Sequence, residues 1–171
     1  MNVVNRVYQR AIRVPSIMEK MSKYPDYILE DLATCGLSCR KCLYKKDGEI
    51  AVISRKLADL FGENFESYAD RFSTFKPEFK NYKSFRAFVD FIGEQECTGC
   101  RKGEGCYPGC VVASCTREKT ISFCFECPEF PCARVNFDPD LKKRWIIMNE
   151  RMREVGLEKY HEETKDICRY V

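Results

Sequence analysis

Histidine and tryptophan are the scarcest side chains in the chain of 171 residues, with one of each. The lone histidine, His161, sits in the charged run HEETK, is expected to face solvent, and gives no basis for a Cys–His nucleophile pair. No phosphate-binding loop and no glycine-rich dinucleotide fingerprint occurs, which removes the commonest nucleotide-dependent enzyme classes. No apolar run approaches the ~20 residues that cross a bilayer, so no membrane role is expected. The opening stretch MNVVNRVYQRAIRVPS spaces its charges through the apolar residues and does not read as a secretory signal, so a cytoplasmic setting is expected. Low-complexity tracts and repeats of fixed period are missing too, which excludes a solenoid. No catalytic residue is assigned.

Cysteine is abundant instead. Eight of the twelve cysteines fall between Cys97 and Cys132, in CTGCRKGEGCYPGCVVASCTREKTISFCFECPEFPC. Three more form CGLSCRKC at 35–42, and Cys168 stands alone. In a reducing compartment this density points to metal or redox chemistry rather than to disulfides. Cys39-x2-Cys42, Cys97-x2-Cys100 and Cys124-x2-Cys127 have the spacing that turns two sulfurs toward one ion. The expected ligands are Cys35, Cys39, Cys42, Cys97, Cys100, Cys110, Cys115, Cys124, Cys127 and Cys132. Pairing an early Cys-x-x-Cys with a later one suggests a site from Cys39, Cys42, Cys97 and Cys100. A second would draw four ligands from Cys110, Cys115, Cys124, Cys127 and Cys132, with Cys35, Cys106 and one more left over. Cys168 reads as a small buried packing residue in the last helix.

Two ions fit this inventory. All-cysteine tetrahedral zinc, two ions per chain, is the first reading; an iron–sulfur cluster uses the same thiolates and is the alternative. Cys35-x3-Cys39-x2-Cys42 is also the spacing of the cluster motif in radical S-adenosylmethionine enzymes. Those need a partial barrel of strand–helix units that this helix-rich pattern does not provide. Ion binding also changes the charge: eight thiolates with two divalent ions take the formal +3 to about −1, because cysteine binds metal as thiolate. A general electrostatic case for nucleic acid disappears with it. A nucleic-acid zinc module using Arg40, Lys41, Lys45, Lys46, Lys142, Lys143 and Arg144 stays as a further alternative, and an unidentified protein partner is the expected one. Arg40, Lys41, Arg101, Lys102, Arg117, Lys119 and Arg134 lie close to cysteines in sequence and suit neutralisation of thiolates.

Apolar periodicity predicts helices nearly everywhere else. They are 3–13, a short one at 16–21, one opened by Pro25, then one ending at Gly62, one over 64–72 and one over 81–94. Asp138-Pro139 opens a long helix with Leu141, Trp145, Met148, Met152 and Val155 as its stripe, stopped by Gly156. A last helix covers 157–167. The aromatics of 49–94 are expected to form the main hydrophobic core. Thr120 to Phe125 reads as a short strand. The expected architecture is mainly α: an N-terminal helical extension, 1–34, and one Cys-rich domain, 35–171. The latter comprises a helical core, 49–94, an irregular metal-stabilised module, 97–132, and C-terminal helices, 138–168.

CGLSCRKC, CTGC at 97–100, CVVASC at 110–115 and ISFCFECPEFPC at 121–132 together resemble the bacterial and archaeal family called domain of unknown function 3795. DLKKRWIIMNERMREVGLEKY is similar to the helical end of that family, so the resemblance runs from about Cys35 to the C-terminus. It implies a Cys-rich, metal-binding cytoplasmic protein and brings no reaction with it.

Overall fold

A computed structural model describes residues 23–103 and 105–170. The helices predicted over 3–13 and 16–21 lie outside them. Among the described residues the protein is mainly helical, and its only β pairing is two isolated bridges, Leu32 with Ser38 and Lys45 with Cys97.

The longest helix is α6, Pro139–Val155. Asp138 caps it: its Oδ1 accepts from the N–H of Asp140 at 3.1 Å and of Leu141 at 2.9 Å, while Pro139 enters where no N–H is needed. Gly156, at φ +82°, stops it. Trp145, Asn149 and Met152 recur at helical spacing on the buried face. Trp145 belongs to a core cluster with Ala33, Cys35, Cys39, Val112, Cys127, Phe130 and Val135. Met152 belongs to a second cluster with Ile28, Leu32, Phe123, Leu157 and Tyr160. The helix is thus the spine on which the cysteine-bearing loops lie. Two short helices flank it, α1 (Asp26–Asp31) and α7 (Leu157–Thr164). The former is shorter than its sequence pattern because Leu32 turns extended to bridge Ser38.

Between Cys42 and Cys97 the chain makes a helical insert: α2 (Glu49–Phe61), α3 (Phe65–Phe72), a 3-10 turn at Pro77–Asn81 and α4 (Tyr82–Gly93). α2 and α4 run antiparallel. Arg86 near the start of α4 donates to Ala58 O and Gly62 O at the end of α2, and Arg55 of α2 donates to Gly93 O. The two ends of the insert meet where Lys46 N–H donates to Cys97 O at 3.0 Å. Val112–Glu118 forms α5 inside the Cys-rich stretch.

Four expectations need correction. The insert's aromatics are not the main core: Phe72, Phe75, Phe85, Phe88 and Phe91 are all exposed, Phe75 at 66%. In α4 Tyr82, Val89 and Ile92 are buried, while Phe88 and Phe91 carry the apolar arc beyond that face and Lys83, Arg86 and Asp90 make the polar side. No strand forms at Thr120–Phe125. Instead Glu126 Oε2 accepts from Ser122 N–H at 2.7 Å and Phe123 N–H at 2.9 Å, leading into a 3-10 turn at Cys124–Glu126. Those backbone groups find side-chain partners, so no neighbouring strand is needed. The last helix ends at Thr164, and Cys168 lies beyond it, exposed rather than packed. His161 is buried, 8% exposed, with a ring nitrogen 2.8 Å from Asp31 Oδ2 and an edge contact to Tyr27. Its neighbours in sequence are charged, but α7 turns this one residue onto α1.

Candidate metal centre

The loop after α1 carries Cys35, Cys39 and Cys42, all buried. Asp31 O accepts from Cys39 N–H at 2.6 Å and Cys39 O from Cys42 N–H at 3.0 Å, so the loop is wound tightly around its sulfurs. Gly36 makes the turn at φ +93°, where a Cβ would come within 2.5 Å of Met152 Cε. Only glycine meets both demands.

The facing wall is the loop through Cys97, Cys100 and Cys106. Cys100 lies within hydrogen-bonding reach of Cys39, and Cys106 within reach of Cys42. These hydrogen bonds hold Cys39 and Cys42 well below the ordinary thiol range and push Cys100 and Cys106 well above it. Cys97 lies within electrostatic reach of Cys106, and Cys110 of Cys35. Burial pushes Cys35 up to about 11.

A second group gathers near α5 and the 3-10 turn. Cys124 has Cys132 and Cys115 within electrostatic reach, and burial pushes it up to about 12 against the opposing Trp145 indole. Lys119 Nζ lies 3.5 Å from Cys127 Sγ. Arg134 feels the charge of Cys115. Cys35 lies within reach of both groups.

Of the first expected set, Cys39 meets Cys100, while Cys42 meets Cys106, with Cys97 near Cys106. Cys115, Cys124 and Cys132 are neighbours, whereas Cys110 lies toward Cys35. Among the described residues the thiols meet in pairs, and no three Cys, His, Asp or Glu side chains gather around one point.

Two arginines fill the space behind the thiols. Arg101 donates to Leu29 O, Leu32 O and Ser122 O, and lies over the Phe123 ring at 4.3 Å. Its Nη2 is buried without a hydrogen-bond partner. Burial lowers its pKa, while Cys39, Cys35, Glu126 and Cys100 oppose the fall. Arg169 donates to Ser38 O. Burial works against its charge too, but Cys42, Tyr170, Cys35 and Cys39 outweigh it. Among the described residues neither guanidinium has a carboxylate ion pair, so a half-buried positive charge is left facing sulfur. That donor set and that charge fit an anionic metal–thiolate centre.

Adjacency in sequence pointed to Arg101, which the fold places near Cys35, Cys39 and Cys100, but gave no sign of Arg169, which is brought in from the far end of the chain. The expected ligand set also left out Cys106, although Cys100-x5-Cys106 with glycines at 103 and 105 was a visible turn signal. Of the other basic residues, Arg40 pairs with Glu49, Lys45 with Asp47 and Lys46 with Glu96. Lys41 Nζ donates to Ile167 O.

No helix among the described residues is long and apolar enough to cross a membrane. No curated protein and no solved structure matches the chain. The sequence pattern of the family described as "Protein of unknown function (DUF3795)" matches residues 31–137, which takes in both thiol groups and the insert and stops short of α6 and α7. With more than half of its length matched, and every paired cysteine inside the match, the chain belongs to the DUF3795 family.

Proposed function

We propose that this is a cytoplasmic zinc-binding protein whose two sulfur-held ions fix the irregular half of the fold, and that it works as an interaction or regulatory module rather than as an enzyme. One observation carries the reading. Cys39 and Cys42, from one Cys-x-x-Cys unit, each meet a thiol of the facing loop, with Arg101 and Arg169 half-buried beside them. Cys39, Cys42, Cys100 and Cys106 would hold the first ion as four thiolates, and Cys115, Cys124, Cys127 and Cys132 the second. Zinc supplies cross-links between loops that share little backbone hydrogen bonding. The exposed aromatics of the insert support a protein partner.

Elemental analysis of anaerobically purified protein tests this. About two zinc per chain are expected, falling to about one in Cys106→Ser and staying at two in Cys97→Ser. Retention of both ions by Cys106→Ser would remove the assignment.

A second reading, an iron–sulfur redox or accessory protein, is favoured by one feature. Cys35 lies within reach of Cys39 and Cys100, and Cys110 within reach of Cys35, which is more sulfur than a closed zinc site takes. Absorbance near ~400 nm with stoichiometric iron and sulfide would select it.

A further inference from the structure

The α2–α4 pair is amphipathic as a unit. In α2 Ile50, Ile53, Leu57 and Leu60 follow one another three, four and three residues apart, the spacing of a seam that packs against another helix. In α4 Phe85, Phe88 and Ile92 repeat it, with Phe91 beside them, its ring stacked on Phe88 at 6.3 Å. Helical periodicity places Arg55 on the other flank of α2 and Arg86 on the other flank of α4. The hydrogen bonds of Arg55 to Gly93 O and of Arg86 to Ala58 O and Gly62 O tie the helices along that polar side. The two seams therefore share the opposite side, and none of their positions carries a charge.

Each helix covers only part of its seam against the other. The buried residues of α2 are the small Ala51, Ser54 and Ala58, whereas Ile53, Leu60, Phe85, Phe88 and Phe91 are between 41% and 75% exposed. At ~150–250 Å² for a whole aromatic side chain, and somewhat less for leucine or isoleucine, that leaves roughly 500 Å² of apolar surface in one patch. A standard dimer covers ~800 Å² on each copy, about 65% of it apolar in a homodimer, which is close to this amount.

We propose that this face is a self-association surface, on which a second copy of the chain packs to make an antiparallel four-helix bundle. A two-fold axis running along the helices sets the aliphatic seam of α2 over the aromatic seam of the other copy's α4, and the reverse contact repeats it, as an isologous interface requires. Every neighbouring pair of helices then runs antiparallel. No charge is buried, and rings meet aliphatic side chains rather than one another. Arg86 is level with Gly62, so Leu60 and Phe88, each two residues further along the pair, are level too. Leu60 of one copy therefore stands against Phe88 of the other. This rests on the interaction-module reading, for which a second copy supplies the partner, and not on the zinc, since residues 49–93 hold none of the twelve cysteines.

Sedimentation equilibrium of the full chain tests this, with zinc counted on the same samples. The wild type is expected to have the mass of two chains across the micromolar range. Leu60→Glu and Phe88→Lys should each raise the dissociation constant at least tenfold while the far-UV circular dichroism stays unchanged. An equimolar mixture of the two variants should associate at least tenfold more tightly than either variant alone. In the mixed dimer the new carboxylate meets the new ammonium at one contact, and leucine meets phenylalanine at the other. A monomer at every concentration, whether another segment of the chain or a different protein covers the face, overturns the proposal. So does a dimer that both variants leave intact, or a mixture that associates no better than its components. A monomer holding about two zinc per chain refutes the dimer alone, and a dimer without zinc refutes the zinc reading alone.

Discussion

The insert of α2 to α4 and the cysteine-bearing remainder meet the same requirement, a partner for every buried backbone group, by opposite means. In the insert the helices satisfy their own N–H and C=O groups and need only a stripe of contact with each other. Many of its aromatics can therefore stay exposed, and Leu60 is 75% exposed. The remainder has little regular structure between Cys97 and Pro139, and side chains take over the backbone's hydrogen bonding. Asn149, fully buried, donates to Cys35 O at 2.9 Å and Trp145 O at 2.8 Å and accepts from Phe125 N–H at 3.0 Å. Arg101 and Glu126 serve further carbonyls and N–H groups. The irregular half thus depends on single side chains, and on sulfur, in a way the insert does not.

Metal removal should separate the two halves most sharply. Structural zinc contributes roughly 10–16 kcal/mol of apparent binding energy in small domains. Chelation should move the single tryptophan, Trp145, into water and red-shift its fluorescence, while the insert keeps much of the helical circular dichroism. Unchanged fluorescence in protein shown to be metal-free would break the contrast.

Asn149→Ala comes next. It leaves Cys35 O and Phe125 N–H without these partners in the core, at ~1–3 kcal/mol for each unsatisfied group. Urea unfolding should show the loss as a lower midpoint. A midpoint within error of wild type would mean that other groups or water take over.

Two glycines give a direct comparison. Gly36 (φ +93°) and Gly62 (φ +69°) both occupy backbone conformations that favour glycine, but a Cβ at Gly62 meets nothing within 4 Å. Alanine at either site costs ~1–3 kcal/mol of backbone strain, and Gly36→Ala adds displacement of Met152. The midpoint should fall further for Gly36→Ala than for Gly62→Ala; the reverse order would show the cysteine loop to be the more yielding half.

The smallest effect is at Glu126. Burial alone would raise its pKa, but Lys23, the Phe123 N–H, Tyr24 and the Ser122 N–H together hold it below the ordinary 4.5. A depressed folded pKa means the contribution is present above the unfolded pKa and is lost as pH falls through the folded one. Glu126→Gln should cost about 1 kcal/mol at neutral pH, the gap between hydrogen bonds to a charged acceptor (~1.5–3 kcal/mol) and to a neutral one (~0.5–1.5 kcal/mol), because the amide oxygen can still accept from the two N–H groups. The gap to wild type should close below pH 4.5 in paired denaturation curves. A gap constant down to strongly acidic pH would mean the carboxylate charge is not what counts.

How legible each half was follows the same division. α6 could be placed from Asp138, Pro139, the Trp145–Met152 stripe and Gly156, because capping and periodicity are local. The ends of α2, α3 and α4 were readable to within a residue or two for the same reason. The exposed phenylalanines of α4 were misplaced because its apolar arc is wider than the face the insert buries, and periodicity does not say which part of that arc is covered. The strand expected at Thr120–Phe125 was lost to Glu126, whose carboxylate is three to four residues from the N–H groups it takes.

The sequence by itself determined that the chain is rich in paired cysteines, and its helices were legible because caps and apolar periodicity are patterns a few residues long. Tertiary structure alone decided that Cys42 faces Cys106, that Arg169 lies behind the thiols, and that His161 is buried on Asp31. Those pairings join residues tens to more than a hundred positions apart. Spacing constrains only neighbours along the chain, while which distant loops meet depends on how α6 and the insert close the space between them.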